Sequence, residues 1–288
     1  MSSCIVGSLN LDGFDLKNEI AYLNSLPKIE EEYDEFAQGY WKNISLLNAS
    51  GEGDDSQFRF CQRPEATEHL HRLPEIRQVI NDHFSTAALK MVRARNLIDG
   101  MVVPHRDFVE MKEDGLNFFR VFVMLEDNLD SYHSDDSGVF QMKKGEVWFL
   151  DAAIEHSAVN FSNKSRMALC FDFVFETDFR PEDIFSTRDL VTRIEPTYRV
   201  REALNDAEVE SIIGGISALL SRRTFKDLVF TASKYHFTRD VPVAACYDWL
   251  IEAANRNADT DTADKAQALK RYLVVDRDLG QRFSISEW

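Results

Sequence analysis

Two kinds of hydrophobic pattern follow one another along the chain. In the middle, short segments rich in β-branched and aromatic residues are separated by Gly, Asn, Asp and Ser, which is typical of the strands of a sandwich or barrel. These segments are 91–98, 101–103, 118–125, 139–142, 146–150 and 166–175. After about residue 205 the apolar positions recur every three to four residues, which indicates amphipathic helices. The pattern therefore predicts an α+β protein.

Helices are expected on both sides of the predicted β region. One should begin at Asp15, which can cap it. Another should begin at Asn205, with Glu208 placed three residues later as its capping partner. We expect residues 1–180 to form a β-rich domain with N-terminal helical elements, and residues 181–288 to form a helical subdomain packed on it.

The strand predicted over 166–175 alternates between two kinds of side chain. One face carries large apolar residues, namely Met167, Leu169, Phe171, Phe173 and Phe175. The other face carries Arg166, Ala168, Cys170 and Asp172. Because successive strand residues point to opposite faces, we expect the first face in the core and the second along a polar cavity. In the strand 118–125, Arg120 shares one face with Phe122 and Met124.

The charge balance excludes several functions. With 33 basic and 49 acidic residues the formal charge is −16, which argues against binding to nucleic acid or to an anionic membrane. No apolar run is long enough for a membrane span, and residues 1–15 lack the pattern of a signal peptide. The four cysteines form no CxxC motif. We therefore expect a reduced, cytoplasmic setting.

A metal site is the first candidate for chemistry. His105 and Asp107 are two residues apart on an extended segment, so their side chains point to the same side. His156 is the best candidate for a third ligand, and two His with one carboxylate would leave positions open on Fe(II) for a co-substrate and oxygen. Two alternatives stay open, a surface ion pair for His105 and Asp107 and a structural role for His156. A second such pair, His133 and Asp135, lies in what reads as a polar turn.

Arg166 adds a second candidate group. It follows His156 by ten residues and begins the alternating strand. A buried guanidinium needs an anionic partner, and one carboxylate of a dicarboxylate co-substrate would serve. The alternative is an internal ion pair with an acid such as Asp172.

The motifs together resemble a known family. The order His105, Asp107, His156 and Arg166 is similar to that of the Fe(II)/2-oxoglutarate-dependent dioxygenases with a double-stranded β-helix, or jelly-roll, fold. The strings MVRARNL, VVPHRDFVEM, FFRVFVMLED, YHSDD and GEVWFLDAAIEHSAVNFSNKSR resemble the bacterial free L-proline (3-)hydroxylases and L-pipecolic acid hydroxylases. EEYDEFAQGYWKNISLLNASG, FKDLVFTASKYHFTRDV and RFSISEW extend the likeness over nearly the whole chain. A fainter likeness to the aspartyl/asparaginyl β-hydroxylases surrounds Arg120 and the EH…R region.

The resemblance assigns roles to individual residues. It implies a jelly-roll core and Fe(II) bound by His105, Asp107 and His156. It implies that 2-oxoglutarate is bound by Arg166, with Arg120 and His133 as further co-substrate contacts. Arg95 or Arg93 would hold the carboxylate of the substrate, Arg95 being the preferred one. Trp41 is left in the core.

The implied reaction is hydroxylation of a free cyclic imino acid at C3. The substrate would be L-proline or L-pipecolate, and 2-oxoglutarate and O2 would yield succinate and CO2. Departures from the family pattern at 51–58 and 69–73 keep pipecolate as a candidate. The product would feed antibiotic biosynthesis, and the oligomeric state stays open, a homodimer included.

Three other functions compete with this reading. The first is hydroxylation of Asp or Asn side chains in a peptide or protein, which would require an open groove. The second is a non-catalytic jelly-roll binding module, which would not need both the third ligand and Arg166. The third is a zinc hydrolase, in which Arg166 would have no use.

Overall fold

One long strand organises the larger sheet. The computed structural model describes residues 3–30, 32–107, 116–192, 194–278 and 281–288. Strand β4 (Leu89–His105) pairs along one edge with β2 (Ala37–Asn48). Its other edge pairs first with β10 (Ala168–Phe175) and then with β9 (His156–Asn160), all antiparallel. The single strand β4 therefore connects the part of the sheet that contains β10 with the part that contains β9.

A bulge in β4 makes this change of neighbour possible. The sequence predicted two strands, 91–98 and 101–103, and this division is wrong because the chain continues through Asp99 with φ 46°. Opposite the bulge Gly39 has φ 80°, and a Cβ on Gly100 would lie 1.8 Å from the carbonyl oxygen of Gln38. The two glycines let the backbones of β2 and β4 approach where the strand bends.

The remaining strands complete a curled antiparallel sheet. Its order is β1-β8-β5-β10-β4-β9-β6-β7-β11, with β2 on β4 and β3 on β2. The strands are β1 (Cys4–Ser8), β3 (Glu65–Ala66), β5 (Asn117–Met124), β6 (Ser131–Asp135), β7 (Gly138–Gln141), β8 (Glu146–Phe149) and β11 (Thr197–Tyr198). Two short segments, β12 (Glu202–Ala203) and β13 (Arg239–Asp240), pair in parallel separately. The reading of His133 as part of a polar turn is wrong, because it lies within β6.

Helices cover the sheet from two sides. On the N-terminal side are α1 (Leu16–Ser25), α2 (Glu68–His71) and α3 (Pro74–His83). On the C-terminal side are α4 (Asp206–Leu219), α5 (Phe225–Ser233), α6 (Tyr235–Thr238), α7 (Ala245–Arg256) and α8 (Thr260–Lys270), which runs into a π-helical turn (Arg271–Val275). Short 3-10 helices are Glu32–Glu35, Pro181–Ile184 and Arg188–Leu190. The predicted N-terminal helix is confirmed, although the side chain of Asp15 forms no capping hydrogen bond. The capping box of Asn205 and Glu208 is confirmed.

The strand faces pack as their alternation predicts. Leu169, Phe171 and Phe173 lie in the core beneath α1 and α3, and the ring of Phe84 stacks on Phe171 at 4.2 Å. The opposite face of β10 turns inward. A second core joins residues of β4 and β9 to α5, α7 and α8, so the C-terminal helices share apolar contacts with the sheet. The division at residue 180 stays a prediction. Within the described ranges, no helix combines the length and hydropathy needed to cross a membrane.

Candidate active site

Three predicted ligands meet at the end of β4. His105 is the last residue of β4 and pairs directly with His156, the first residue of β9, with ring centroids 4.2 Å apart. Asp107 lies two residues further, where its backbone N–H donates to the carbonyl of Ala152 at 2.8 Å. One ligand atom from each of the three side chains lies within 4.8 Å of the others. No other group of three or more potential ligands comes this close in the described part of the chain.

Hydrogen bonds fix the tautomer of both imidazoles. His105 Nδ1 lies 2.9 Å from the carbonyl of Val103, and His156 Nδ1 lies 2.9 Å from the carbonyl of Ile154. Because a carbonyl can only accept, each Nδ1 carries the proton and each Nε2 keeps its lone pair. Burial, followed by the neighbouring His156, lowers the pKa of His105 to about 3. His105 is therefore neutral, as a metal ligand must be.

Asp107 presents one oxygen to the same point. Its Oδ1 lies 3.7 Å from His105 Nε2, while its Oδ2 accepts a 2.6 Å bond from Arg120 Nη1. Burial alone would raise the pKa of Asp107, but the Arg120 guanidinium and the His105 imidazole lower it well below its usual range. Two imidazole nitrogens and one carboxylate oxygen are the donor set of non-haem Fe(II) sites, and zinc accepts the same atoms.

Arg120 belongs to a buried chain of charges. Its Nε donates to Asp172 Oδ1 at 2.5 Å, and Arg93 Nη2 donates to Asp172 Oδ2 at 2.5 Å. Burial would raise the pKa of Asp172, but the guanidinium groups of Arg120 and then Arg93 lower it to about 2. Asp172 therefore pairs with these two arginines, and the alternative that it pairs with Arg166 is wrong.

Arg166 faces the cavity next to the three ligands. Its backbone N–H donates to Asn96 Oδ1 at 2.9 Å, and its Nη2 lies 3.6 Å from the weakly accepting Sδ of Met142. Among the residues that the structure describes, no carboxylate forms an ion pair with it. Burial lowers the pKa of Arg166 to about 10, so it stays charged at neutral pH. A buried cation of this kind is a binding site for an anion.

The other predicted residues line the same cavity. His133 reaches it from β6, and burial, followed by the charge of Arg166, lowers the pKa of His133 well below its usual value. Arg95 lies between two aromatic rings, with its guanidinium carbon 5.8 Å from the ring centre of Trp41 and 5.7 Å from that of Phe122. Trp41 packs in the second core, as expected, and it also lines the cavity.

Arg93 lies on a second, outer cleft. This cleft of about 900 Å³ is bounded by the 50–59 segment and the C-terminal residues 282–287. Arg93 Nη1 donates to the carbonyl of Ser56 at 3.3 Å on the cleft side, while its Nη2 reaches Asp172. The structure thus places the two candidate substrate arginines in different spaces, Arg95 in the inner cavity and Arg93 in the outer cleft.

Helix α7 and the π-helical turn form hydrogen bonds with the two residues on either side of His105. The hydroxyl of Tyr247 on α7 donates to the carbonyl of Pro104 at 2.6 Å. The backbone N–H of Arg106 donates to the carbonyl of Leu273 at 2.8 Å, and its Nε donates to the carbonyl of Ala153 at 2.8 Å. Both backbone positions that flank His105 are therefore anchored to helices that lie more than 140 residues away in sequence.

Two family models together match most of the chain. The aspartyl/asparaginyl β-hydroxylase model matches residues 15–175, which include all the predicted site residues. The model for the C-terminal region of L-proline 3-hydroxylase matches residues 181–281.

Two curated relatives are similar to this chain over nearly its whole length, and one solved structure is similar over part of it. An L-proline cis-3-hydroxylase of Streptomyces sp is 38% identical over 100% of both chains. An L-proline cis-4-hydroxylase of Rhizobium meliloti (strain 1021) is 28% identical over 98% of this chain and 99% of its own. A 2OG-Fe(II) oxygenase family oxidoreductase from Burkholderia pseudomallei is only loosely similar, at 17% identity and TM-score 0.36 over 57% of this chain and 79% of its own. By its full-length relatives and the model that covers more than half of it, this chain belongs to the aspartyl/asparaginyl β-hydroxylase family, in the group of the L-proline hydroxylases.

Proposed function

We propose that the protein is an Fe(II)/2-oxoglutarate-dependent dioxygenase that hydroxylates free L-proline at C3. The observation that carries this proposal is a cavity holding both a His-Asp-His cluster and a buried guanidinium with no carboxylate partner among the described residues. The names of the relatives that span the whole chain favour proline as the substrate. The reaction converts substrate C–H, 2-oxoglutarate and O2 into substrate C–OH, succinate and CO2, which balances without another reductant.

His105, Asp107 and His156 would hold the metal. When bound there, Fe(II) with 2-oxoglutarate and O2 supplies the oxidation of an unactivated C–H bond. Burial keeps the imidazole of His105 neutral, and the Val103 and Ile154 carbonyls fix the orientation of His105 and His156. Arg120 donates to Oδ2 of Asp107 and thereby orients the carboxylate, whose Oδ1 lies on the side of His105.

Arg166 would bind the distal carboxylate of 2-oxoglutarate. Its fork of donors suits a bidentate carboxylate. Among the other charged residues that line the cavity, Arg120 and Asp107 pair with each other. His133, kept neutral beside it, would donate or accept one further hydrogen bond. Arg120 lines the same space, but its contacts to Asp107 and Asp172 make orientation of the metal ligand its main proposed role.

Arg95 would hold the substrate carboxylate. A guanidinium between the rings of Trp41 and Phe122 offers a charge for the carboxylate and apolar walls for a saturated ring. Arg93, two residues before Arg95 on the same face of β4, is tied to Asp172 and to the Ser56 carbonyl and would hold this face in place. Since regiochemistry depends on placing one ring carbon near the metal to within about 1 Å, these contacts would select C3. L-pipecolate, one methylene larger, is the second substrate to test.

The proposal also covers the architecture and setting. The strand order around β4 is that expected of a double-stranded β-helix with helices added at both ends. A free small-molecule substrate suits a cytoplasmic enzyme. Hydroxylation of Asp or Asn in a peptide is the second candidate, because the model that matches residues 15–175 has that name and the outer cleft is open.

One assay tests the proposal. The protein is loaded anaerobically with Fe(II) and 2-oxoglutarate, and L-proline, L-pipecolate and an Asp/Asn-containing peptide are supplied with O2 separately. We expect succinate and hydroxyproline in equal amounts, with the hydroxyl at C3 by NMR. His156→Ala should lose activity at least 100-fold, whereas His71→Ala on the exposed side of α2 should not change it. Product only from the peptide would replace the proposal with the second candidate, and no succinate from an iron-loaded protein would refute both.

A further inference from the structure

The buried carboxylate of Asp172 accepts hydrogen bonds from two arginines, Arg120 and Arg93. Asp172 is 3% exposed and lies on the inward face of β10. In the sheet register it stands opposite Arg120 of β5, and Arg93 of β4 stands opposite Cys170, two residues further along the same face. Three adjacent strands thus place Arg120, Asp172 and Arg93 side by side.

Each oxygen of Asp172 serves a different arginine. Oδ1 accepts from Arg120 Nε and Oδ2 accepts from Arg93 Nη2, both at 2.5 Å. The same guanidinium donates through Nη1 to Oδ2 of Asp107, so Asp172 anchors the group that orients the Asp107 carboxylate. Loss of this anchor would let the guanidinium and the carboxylate change their mutual orientation, because an arginine and a carboxylate pair in more than one geometry.

The carboxylate of Asp172 also fixes Arg93, which lies between the inner cavity and the outer cleft. One end of Arg93 is fixed on Asp172, and the other donates to the Ser56 carbonyl on the wall of the outer cleft. Arg166, by contrast, contacts Met142 and Asn96 and has no contact with Asp172. The co-substrate end of the cavity is therefore built independently of this network.

We propose that Asp172 is a positioning residue that orients the metal ligand Asp107 through Arg120 and fixes the substrate side through Arg93. This inference rests on the proposed function for its substrate arm only. Replacing Asp172 should weaken metal binding and substrate binding together, and it should leave the binding of 2-oxoglutarate unchanged. A purely structural role would change all three or none.

The test compares Asp172→Asn with Glu19→Gln. Glu19 is also buried, at 7% exposed, and its two oxygens accept bonds from the backbone of Glu75 and Ile76, far from the site. Co(II) titration followed by absorption gives metal affinity without turnover. We expect a 10- to 100-fold loss for Asp172→Asn and less than a twofold change for Glu19→Gln. At saturating Fe(II), the KM for L-proline should rise at least fivefold, the KM for 2-oxoglutarate should stay within twofold, and succinate should exceed hydroxyproline.

Three outcomes decide the matter. Wild-type Co(II) affinity in folded Asp172→Asn overturns the proposal, and so does an equal rise in both KM values. If Asp172→Asn does not fold, the Co(II) titration is done with the double variant Asp172→Asn, Arg93→Gln. This variant also lacks one of the two cations that Asp172 neutralises. Affinity equal to that of Arg93→Gln alone then overturns the proposal. Absence of hydroxylation in the wild-type enzyme would refute the proposed function and leave the Co(II) result intact.

Discussion

At the scale of single residues, buried polar side chains are defined by what they contact. Lys42 is an example, since its Nζ donates to the carbonyls of Leu23, Asn24 and Leu26 at the end of α1. His236 is another, because its Nδ1 lies 2.7 Å from the Val241 carbonyl in a site that is 4% exposed. Neither contact is visible in the sequence, where both residues look like ordinary surface polar groups.

His236 should make the protein sensitive to mild acid. Burial, with a smaller contribution from Arg201, lowers the pKa of His236 to about 4, below the ordinary 6.5 that it regains on unfolding. As pH falls from about 6.5 to about 4, the unfolded chain takes up a proton that the folded chain does not. The contribution of His236 to the free energy of unfolding therefore falls across that window, by at most about 3 kcal/mol, and does not change further below it.

Urea unfolding of metal-free protein between pH 7 and pH 4.5 measures this effect. His236→Asn keeps a donor to the Val241 carbonyl but does not titrate. It should lose about 1–3 kcal/mol less stability across the window than the wild type. His105 and His133 titrate in the same direction in both proteins, so the difference belongs to His236. Identical pH slopes would contradict the assignment.

The predicted site residues show what a sequence can and cannot reveal. Alternation along a strand was enough to put His105 with Asp107 and to place Arg120 and Asp172 on inward faces, because this depends only on local geometry. The pairing of Asp172 with Arg120 and Arg93 depends on the register of three strands, which no local pattern gives. That Trp41 lines the cavity as well as the core could not be predicted for a related reason, since a buried Trp gives the same signal in both places.

At the scale of elements, the sequence did not predict the strands β1, β2, β6 and β9, of which the last three line the cavity. β6 and β9 carry His, Ser and Asn on their inward faces, so they lack the apolar alternation by which a strand is recognised. The strands β5 and β10 also line the cavity, but they were predicted because their other faces are continuous apolar surfaces. In β6 and β9, polar lining residues therefore removed the signal of a strand.

The bulge in β4 is the element on which the site depends most. Gly100→Ala would put a methyl group 1.8 Å from the Gln38 carbonyl oxygen, where backbone would have to move. The second half of β4, which ends in His105, should shift with it. We expect a loss of at least 2 kcal/mol in stability and a weakened Co(II) site.

Gly214→Ala is the matched control for this prediction. Gly214 lies in α4, where an added methyl group meets nothing within 4 Å. The same substitution should there raise stability by up to about 1 kcal/mol, because alanine favours the helix. Thermal unfolding and Co(II) titration of both variants give the comparison. Equal stability of Gly100→Ala and the wild type would show that β2 and β4 can separate without cost.

At the scale of the whole molecule, the site exists only when distant parts of the chain are assembled. β4, β9, β10, α7 and the π-helical turn each hold one wall or one backbone group of it. A ligand of this site therefore binds the folded chain and not the unfolded one, and it must raise the unfolding temperature. The size of the rise reports which residues bind which ligand, without any turnover.

Thermal unfolding with Mn(II), a divalent metal that prefers the same oxygen and nitrogen donors, and 2-oxoglutarate separates the two proposed subsites. Each ligand at about 100 times its Kd adds about 2.7 kcal/mol, or several degrees in Tm. Mn(II) alone should raise the Tm of the wild type, and 2-oxoglutarate should raise it further only when Mn(II) is present. Arg166→Gln should keep the first rise and lose the second, His156→Ala should lose both, and Arg222→Gln on the exposed surface should keep both. If 2-oxoglutarate raised the Tm of Arg166→Gln as much as that of the wild type, a cation other than Arg166 would bind the co-substrate.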